Sequence, residues 1–264
     1  MQERLDGTWD LIVGDPGICG LADAPARPVT VPGLWEAEID PALDGVAWYR
    51  RTFACPDPAG HWTLRFGAVM DTAEVYLNGV ALGEHVGAFT PFEVDPGDAL
   101  TAGDNVLAVR VTDHALDDPE HPRTAHGKQG WANQAFPSPP SLYLTYGGIW
   151  QPVTLRRHGP VAVDDVFVNG DPDALTVTTE LSNRTAEPVT ARVRTGVPGD
   201  AREEEVVLAP GERRAVVLAF GPSRAERWSP ETPALHRAET SVTVSGQLSD
   251  VRETRFGLRT IAVE

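Results

Sequence analysis

Hydrophobic and polar residues alternate with a period of two through much of this chain. In "WTLRFGAV", Trp62, Leu64 and Phe66 oppose Thr63 and Arg65; in "NVLAVRV", Leu107, Val109 and Val111 oppose Ala108 and Arg110. Successive side chains of a strand point to opposite faces, so each stretch predicts a strand buried on one side. "AEVYLNGVALG" predicts a hairpin, because Asn78-Gly79 supplies the two positive-φ positions of a tight turn. Beyond residue 160 the pattern resumes. "ALTVTTELSN" alternates Leu175, Val177, Thr179 and Leu181, and "EEEVVLAPGERRAVVLAF" predicts two strands around a type II turn at Pro210-Gly211. "ETSVTVSG" and "ETRFGLRTIAV" supply further strands. No stretch shows three turns of amphipathic helix with capping signals, and strands never alternate with helices, which disfavours a parallel βαβ sheet. The expected fold class is all-β: an antiparallel sandwich over residues 1–159, then an immunoglobulin-like β-sandwich over 160–264, joined within "RRHGPVAVDD".

One interval breaks the period. "HGKQGWANQAFPSPPSLYLTYGGIW", His126 to Trp150, holds two tryptophans, two tyrosines and Lys128, the only lysine of the chain. Sugar rings present C–H faces that stack on indoles, and their hydroxyls suit planar polar groups. The interval therefore supplies the candidate carbohydrate contacts: His126, Lys128, Gln129, Trp131, Asn133, Tyr146 and Trp150. A structural role stays open for two of them, with Trp150 plugging the sandwich end and Trp131 pinning the loop to its own domain. Trp9, Trp48 and Trp62 fall in strand patterns and are expected in the core. Trp228, before Ser-Pro, reads as a buried anchor of the second domain, and Trp35, after Pro32-Gly33, fits either role.

Composition narrows the partners. At 264 residues the chain suits two domains, and a hydrophobic share of 41% is enough for two cores. A net charge of −16 repels nucleic acid and anionic membranes and leaves neutral ligands such as sugars. No apolar run approaches the roughly 18 residues of a membrane helix. The N-terminus lacks a basic-then-apolar signal pattern, so the expected location is cytoplasmic. Cys19 and Cys55 have no metal-ligand spacing, and a single disulfide is open to them but not required. "DHALDDPEH" gathers Asp113, His114, Asp117, Asp118, Glu120 and His121 in a spacing that fits no metal loop; a solvated acidic loop is expected. Asp164-Asp165 and Glu203-Glu204-Glu205 read as solubilising strand starts, and no G-x-S-x-G elbow occurs. No catalytic residue, metal or cofactor is expected.

An ordered series of motifs carries a resemblance. "DGTWDL", "VPGLWE", "AWYRRTF", "VYLNGVALGEHVGAFTPFEVD", "NVLAVRV", "GKQGW" and "YGGIWQPVTL" follow one another from residue 6 to 155. The series resembles the N-terminal sugar-binding jelly-roll domain, galactose-binding-like in fold, of glycoside hydrolase family 2, which contains β-galactosidases, β-glucuronidases and β-mannosidases. "RWSPETPAL" and "RFGLRTIAVE" resemble the immunoglobulin-like domain of the same family. There are departures. Leu235-His236 stands where the family usually has Leu-Tyr. Leu142, Tyr143 and Leu144 occupy the places where its β-galactosidases carry an acidic sugar contact. The resemblance implies a (β/α)₈ barrel after the "FGLRT" strand, supplying both catalytic glutamates. This sequence ends at Glu264 and contains no Asn-Glu dipeptide of the acid/base type. The expectation is a non-catalytic carbohydrate-recognition and scaffold portion of a family 2 β-glycosidase, partnered by a carbohydrate and a catalytic barrel. The alternative is a free-standing lectin-like protein.

Overall fold

The computed structural model describes residues 2–40, 43, 45–113 and 146–260. It is built of antiparallel sheets, with two four-residue helices, α1 (Gly17–Gly20) and α2 (Trp35–Glu38). The chain divides into two compact units, Met1–Arg157 and His158–Glu264. Among the described residues no helix is long and apolar enough to cross a membrane.

The first unit holds β1 (Gln2–Arg4), β2 (Gly7–Val13), β3 (Arg27–Val31), β4 (Gly45–Cys55), β5 (His61–Phe66), β6 (Thr72–Leu77), β7 (Val80–Val86), β8 (Phe92–Val94), β9 (Gly103–Asp113) and β10 (Val153–His158). One sheet runs β3-β2-β4-β9-β6-β7 and the other β1-β10-β5-β8. The alternating faces meet between them. Trp62, Leu64 and Phe66 of β5 and Leu107, Val109 and Val111 of β9 join one core with Trp9, Tyr49, Val75 and Ile149. The Asn78-Gly79 turn has φ of 51° and 83° at its two residues and closes β6 onto β7 at Leu77↔Val80. Trp48 is also buried, but on the other face of the six-stranded sheet, with Ile12, Leu21 and Ala108. Arg110 bridges Asp15 at 2.8 Å and Glu74 at 2.6 Å. With the Trp48 indole donating to Asp15, it fixes the segment before α1 against the sheet.

The second unit packs β11 (Val161–Asn169), β12 (Thr176–Asn183) and β15 (Arg213–Ala219) as one sheet. The other is β14 (Asp200–Leu208), β13 (Val189–Val197), β16 (His236–Val244) and β17 (Gln247–Phe256), in that order. The core between them is Val163, Val177, Leu181, Val193, Leu208, Val242 and their neighbours. Gly211 has φ +67° and Glu212 N–H donates to Ala209 O at 3.0 Å, the expected turn. That turn does not close a hairpin: β14 and β15 lie in opposite sheets. The acidic clusters sit within strands rather than at their starts. Asp164 lies at a bulge of β11, accepting from Ser182 and Arg184, and Glu203 and Glu205 lie on the exposed edge strand β14 beside Arg192. Side chains of β17 close the sandwich on β11: Ser249 Oγ accepts from Val161 N–H, Asp250 from Val163 N–H, and Arg252 donates to Val163 O. Trp228 is half-buried rather than a fully buried anchor, with Arg259 stacked over its ring at 4.8 Å. Cys19 and Cys55 are free thiols.

Candidate functional site

Of the candidate carbohydrate contacts, Tyr146 and Trp150 are described; His126, Lys128, Gln129, Trp131 and Asn133 lie outside the described residues. So do His114, Asp117, Asp118, Glu120 and His121 of the acidic stretch.

Tyr146 and Trp150 flank a turn that only glycine permits. A Cβ on Gly147 would stand 2.1 Å from the Trp35 ring. Gly148, at φ +114°, would place one 2.4 Å from the Tyr49 hydroxyl. The backbone of this turn threads between three other segments. Gly33 N–H donates to Ile149 O and Trp35 N–H to Gly147 O; Met70 and Gly148 exchange N–H and C=O bonds at 2.9 and 3.2 Å. Glu36 Oε1 accepts from Gly147 N–H at 2.6 Å. Trp35, which the sequence left open, is thereby a core residue: it begins α2, is buried, stacks on Tyr49 at 6.5 Å and donates its indole N–H to Leu43 O. Burial, with the Glu36 and Glu38 charges adding to it, pushes the Tyr49 phenol far above its ordinary range, so it stays protonated.

Around this turn lie an aromatic face and three carboxylates. Trp150 is half-buried and donates to Ala88 O at 2.9 Å. Its ring meets Phe89 edge-on at 6.0 Å and Tyr146 edge-on at 6.2 Å, and Phe89 is 47% exposed. Next to Met70, Asp71 is buried, and its Oδ2 has no hydrogen-bond partner among the described residues. Asp71 N–H donates to Thr112 O and its carbonyl accepts from Gly87 N–H, which brings the end of β9 and the turn after β7 to the same place. Asp113, the last residue of β9, is fully buried. His85 stacks on Phe92 at 4.3 Å, and burial holds its imidazole below the ordinary value, favouring the neutral ring.

Aromatic edges and faces can pack on sugar C–H groups, while the carboxylates beneath them are inward-facing: Asp71 and Asp113 are buried and Glu36 is engaged by Gly147 N–H. No three His, Cys, Asp or Glu side chains among the described residues stand close enough to hold a metal ion. Sequence reasoning did not single out Phe89, Glu36 or Asp71. Two of them sat in recognisable motifs, "VPGLWE" and "GEHVGAFTPFEVD", but only folding brings those motifs beside residues 146–150.

Comparisons with known proteins bear on the whole chain. The family model described as glycosyl hydrolases family 2 matches residues 161–259, and that of the glycosyl hydrolase 2 galactose-binding domain-like region matches 33–155. An exo-β-D-glucosaminidase of Hypocrea jecorina is 28% identical over 239 residues, which cover 82% of this chain and 25% of that protein. The exo-β-D-glucosaminidase of Amycolatopsis orientalis is 30% identical over 227 residues, 81% of this chain and 21% of its own length. The chain thus spans about a quarter of the length of these curated relatives. A GH2 β-galacturonidase structure from Eisenbergiella tayi, bound to galacturonate, superposes with a TM-score of 0.80 at 23% identity, covering 100% of this chain and 44% of that one. At that identity the likeness concerns the fold.

Proposed function

The chain belongs to glycoside hydrolase family 2, and from that premise we propose that it is the non-catalytic recognition and scaffold portion of a β-glycosidase. In this reading the chemistry belongs to a (β/α)₈ barrel, on the same polypeptide or a partner chain, that carries the two glutamates. The present residues help hold the sugar in place. The observation that carries the reading is the Gly147-Gly148 turn. It is packed against Trp35 and Tyr49 so tightly that Tyr146 and Trp150 are held, partly exposed, beside Phe89. A preorganised aromatic face costs little ordering entropy when a ligand arrives. His126, Lys128, Gln129, Trp131 and Asn133 are proposed to complete the contact from the interval that ends there.

Two measurements test this. The chain alone, assayed on aryl β-glycosides, is expected to give no turnover above background; turnover that survives repurification overturns the non-catalytic assignment. In calorimetry against mono- and disaccharides, Trp131→Ala and Tyr146→Ala are each expected to weaken binding at least fivefold. Binding that both variants leave unchanged, or no binding to any sugar, overturns the recognition role.

A further inference from the structure

The dipeptide Asn-Gly occurs twice, at Asn78-Gly79 and at Asn169-Gly170. It is the pair most open to spontaneous deamidation, because glycine has no side chain to shield its backbone nitrogen from the asparagine amide. That nitrogen gives its proton to solvent base and attacks Cγ. A C–N bond forms, the Cγ–Nδ2 bond breaks, and Nδ2 leaves as ammonia. Water then opens the five-membered imide at either carbonyl, giving aspartate or isoaspartate, and nothing is oxidised or reduced. Cγ must swing onto the glycine nitrogen, so whatever holds the side-chain amide opposes the reaction.

Both asparagines are exposed, so exposure does not separate them. Hydrogen bonding does. Asn78 Nδ2 donates to Ala99 O and to Asn105 Oδ1, both at 2.8 Å, and its Oδ1 accepts from Val106 N–H at 2.8 Å. Both donors of the leaving group are thereby engaged. Asn105 is fully buried and is itself fixed, its Nδ2 donating to Thr101 O and Gly103 O. To react, Asn78 must break three hydrogen bonds, one of them to a buried amide. Asn169 is the last residue of β11, an outer strand of its sheet, and its backbone pairs with Thr176. Among the described residues its side chain makes no hydrogen bond or ion pair.

We propose that Asn169-Gly170 is a self-modification site of the folded protein, and that the Asn78–Asn105 amide pair keeps the other copy of the dipeptide intact. The product at residue 169 has a structural effect. Gly170 fits closely against the segment after β17: a Cβ there would stand 2.1 Å from Gly257 O, and Gly170 O accepts from Arg259 N–H at 2.9 Å. Isoaspartate lengthens the main chain just before Gly170 and draws it off this fit. The inference stands on the two turns and is independent of the proposed recognition role.

The test incubates the full chain in mildly alkaline buffer, folded and in urea, and follows both sites by peptide mass spectrometry with isoaspartate-specific methylation. In the folded chain Asn169 is expected to convert at least tenfold faster than Asn78. In urea the two rates are expected to agree within threefold, since glycine follows both. Asn105→Ala, which removes an acceptor of Asn78, is expected to accelerate Asn78 at least threefold and leave Asn169 unchanged. The comparison of folded and unfolded chain uses the native sequence and decides the matter even where that variant does not fold. Equal rates in the folded chain, a tenfold difference that persists in urea, or a folded Asn105→Ala protein in which Asn78 is no faster would each overturn the proposal.

Discussion

The first unit is rich in aromatic side chains; the second is built almost without tryptophan or tyrosine. All four tyrosines and six of the seven tryptophans precede residue 158, while the second core is chiefly valine and leucine. Both are two-sheet sandwiches, so the aromatics are not a requirement of the architecture. Their positions show what they add. The indole N–H groups of Trp9, Trp35, Trp48 and Trp150 donate to Leu5 O, Leu43 O, Asp15 and Ala88 O, all acceptors outside the strands. Each indole packs in or against a sheet and holds an irregular segment by its polar edge. The second unit ties its turns with an amide instead: Asn183 Nδ2 donates to Glu187 O and Ala209 O, and its Oδ1 accepts from Thr185 N–H. Trp62 departs from the rule: its indole N–H has no acceptor among the described residues, and Arg157 lies over its ring.

The contrast can be broken at graded points. The largest effect is expected from Gly148→Ala, which combines a positive φ with a contact of 2.4 Å to the Tyr49 hydroxyl. It should destabilise the first unit by about 3 kcal/mol in urea titration followed by tryptophan fluorescence. Asn183→Ala leaves buried carbonyls without their donor in the second unit and should cost about 2 kcal/mol by the same titration followed by far-UV circular dichroism. Trp150→Phe keeps an aromatic side chain but removes the donor to Ala88 O and part of the indole's packing on Phe89 and Tyr146, an expected loss of about 1.5 kcal/mol by the urea titration.

The smallest effect concerns Asp15. Its hydrogen bond to Arg110, helped by the Trp48 indole, holds its carboxyl below the ordinary value of 3.8. A depressed folded-state value means the group stabilises the fold above pH 3.8 and loses that contribution as pH falls through 3.8 and then through the lower folded value. Asp15 is 42% exposed, so solvent screens the pair, and about 0.5 kcal/mol is expected at neutral pH. The stability difference between the protein and Asp15→Asn should shrink toward zero as the solution is acidified.

Local patterns carried the elements into place and said less about their partners. Leu107, Val109 and Val111 face the core as their alternation requires, and Asn78-Gly79 turns as its backbone preferences require. Pro210-Gly211 also turns as expected, but a turn signal holds no information about which sheet receives the next strand. Charge runs misled in a similar way. Asp164 looked like a solvated strand start and is instead paired within β11, because Ser182 and Arg184 arrive from β12 and the residues after it. The motifs around the candidate site were visible, but not the contacts. That Gly147 must lack a side chain follows from Trp35, more than a hundred residues earlier. No local period encodes such a pairing.

The packed turn at Gly147-Gly148 has a consequence for how such a protein can diverge. Asp113 is fixed by its ladder to Gly45, and Tyr146 is followed at once by the glycine pair bonded to Met70. Both ends of the interval 114–145 are thus anchored by residues outside it. Joining two fixed points becomes only slowly more costly with chain length, about 0.6 kcal/mol for each doubling. A change in the length of chain between Asp113 and Tyr146 therefore carries only a small closure cost. The position of both anchors is thus set by bonds to Gly45 and Met70, which no residue of the interval has to supply.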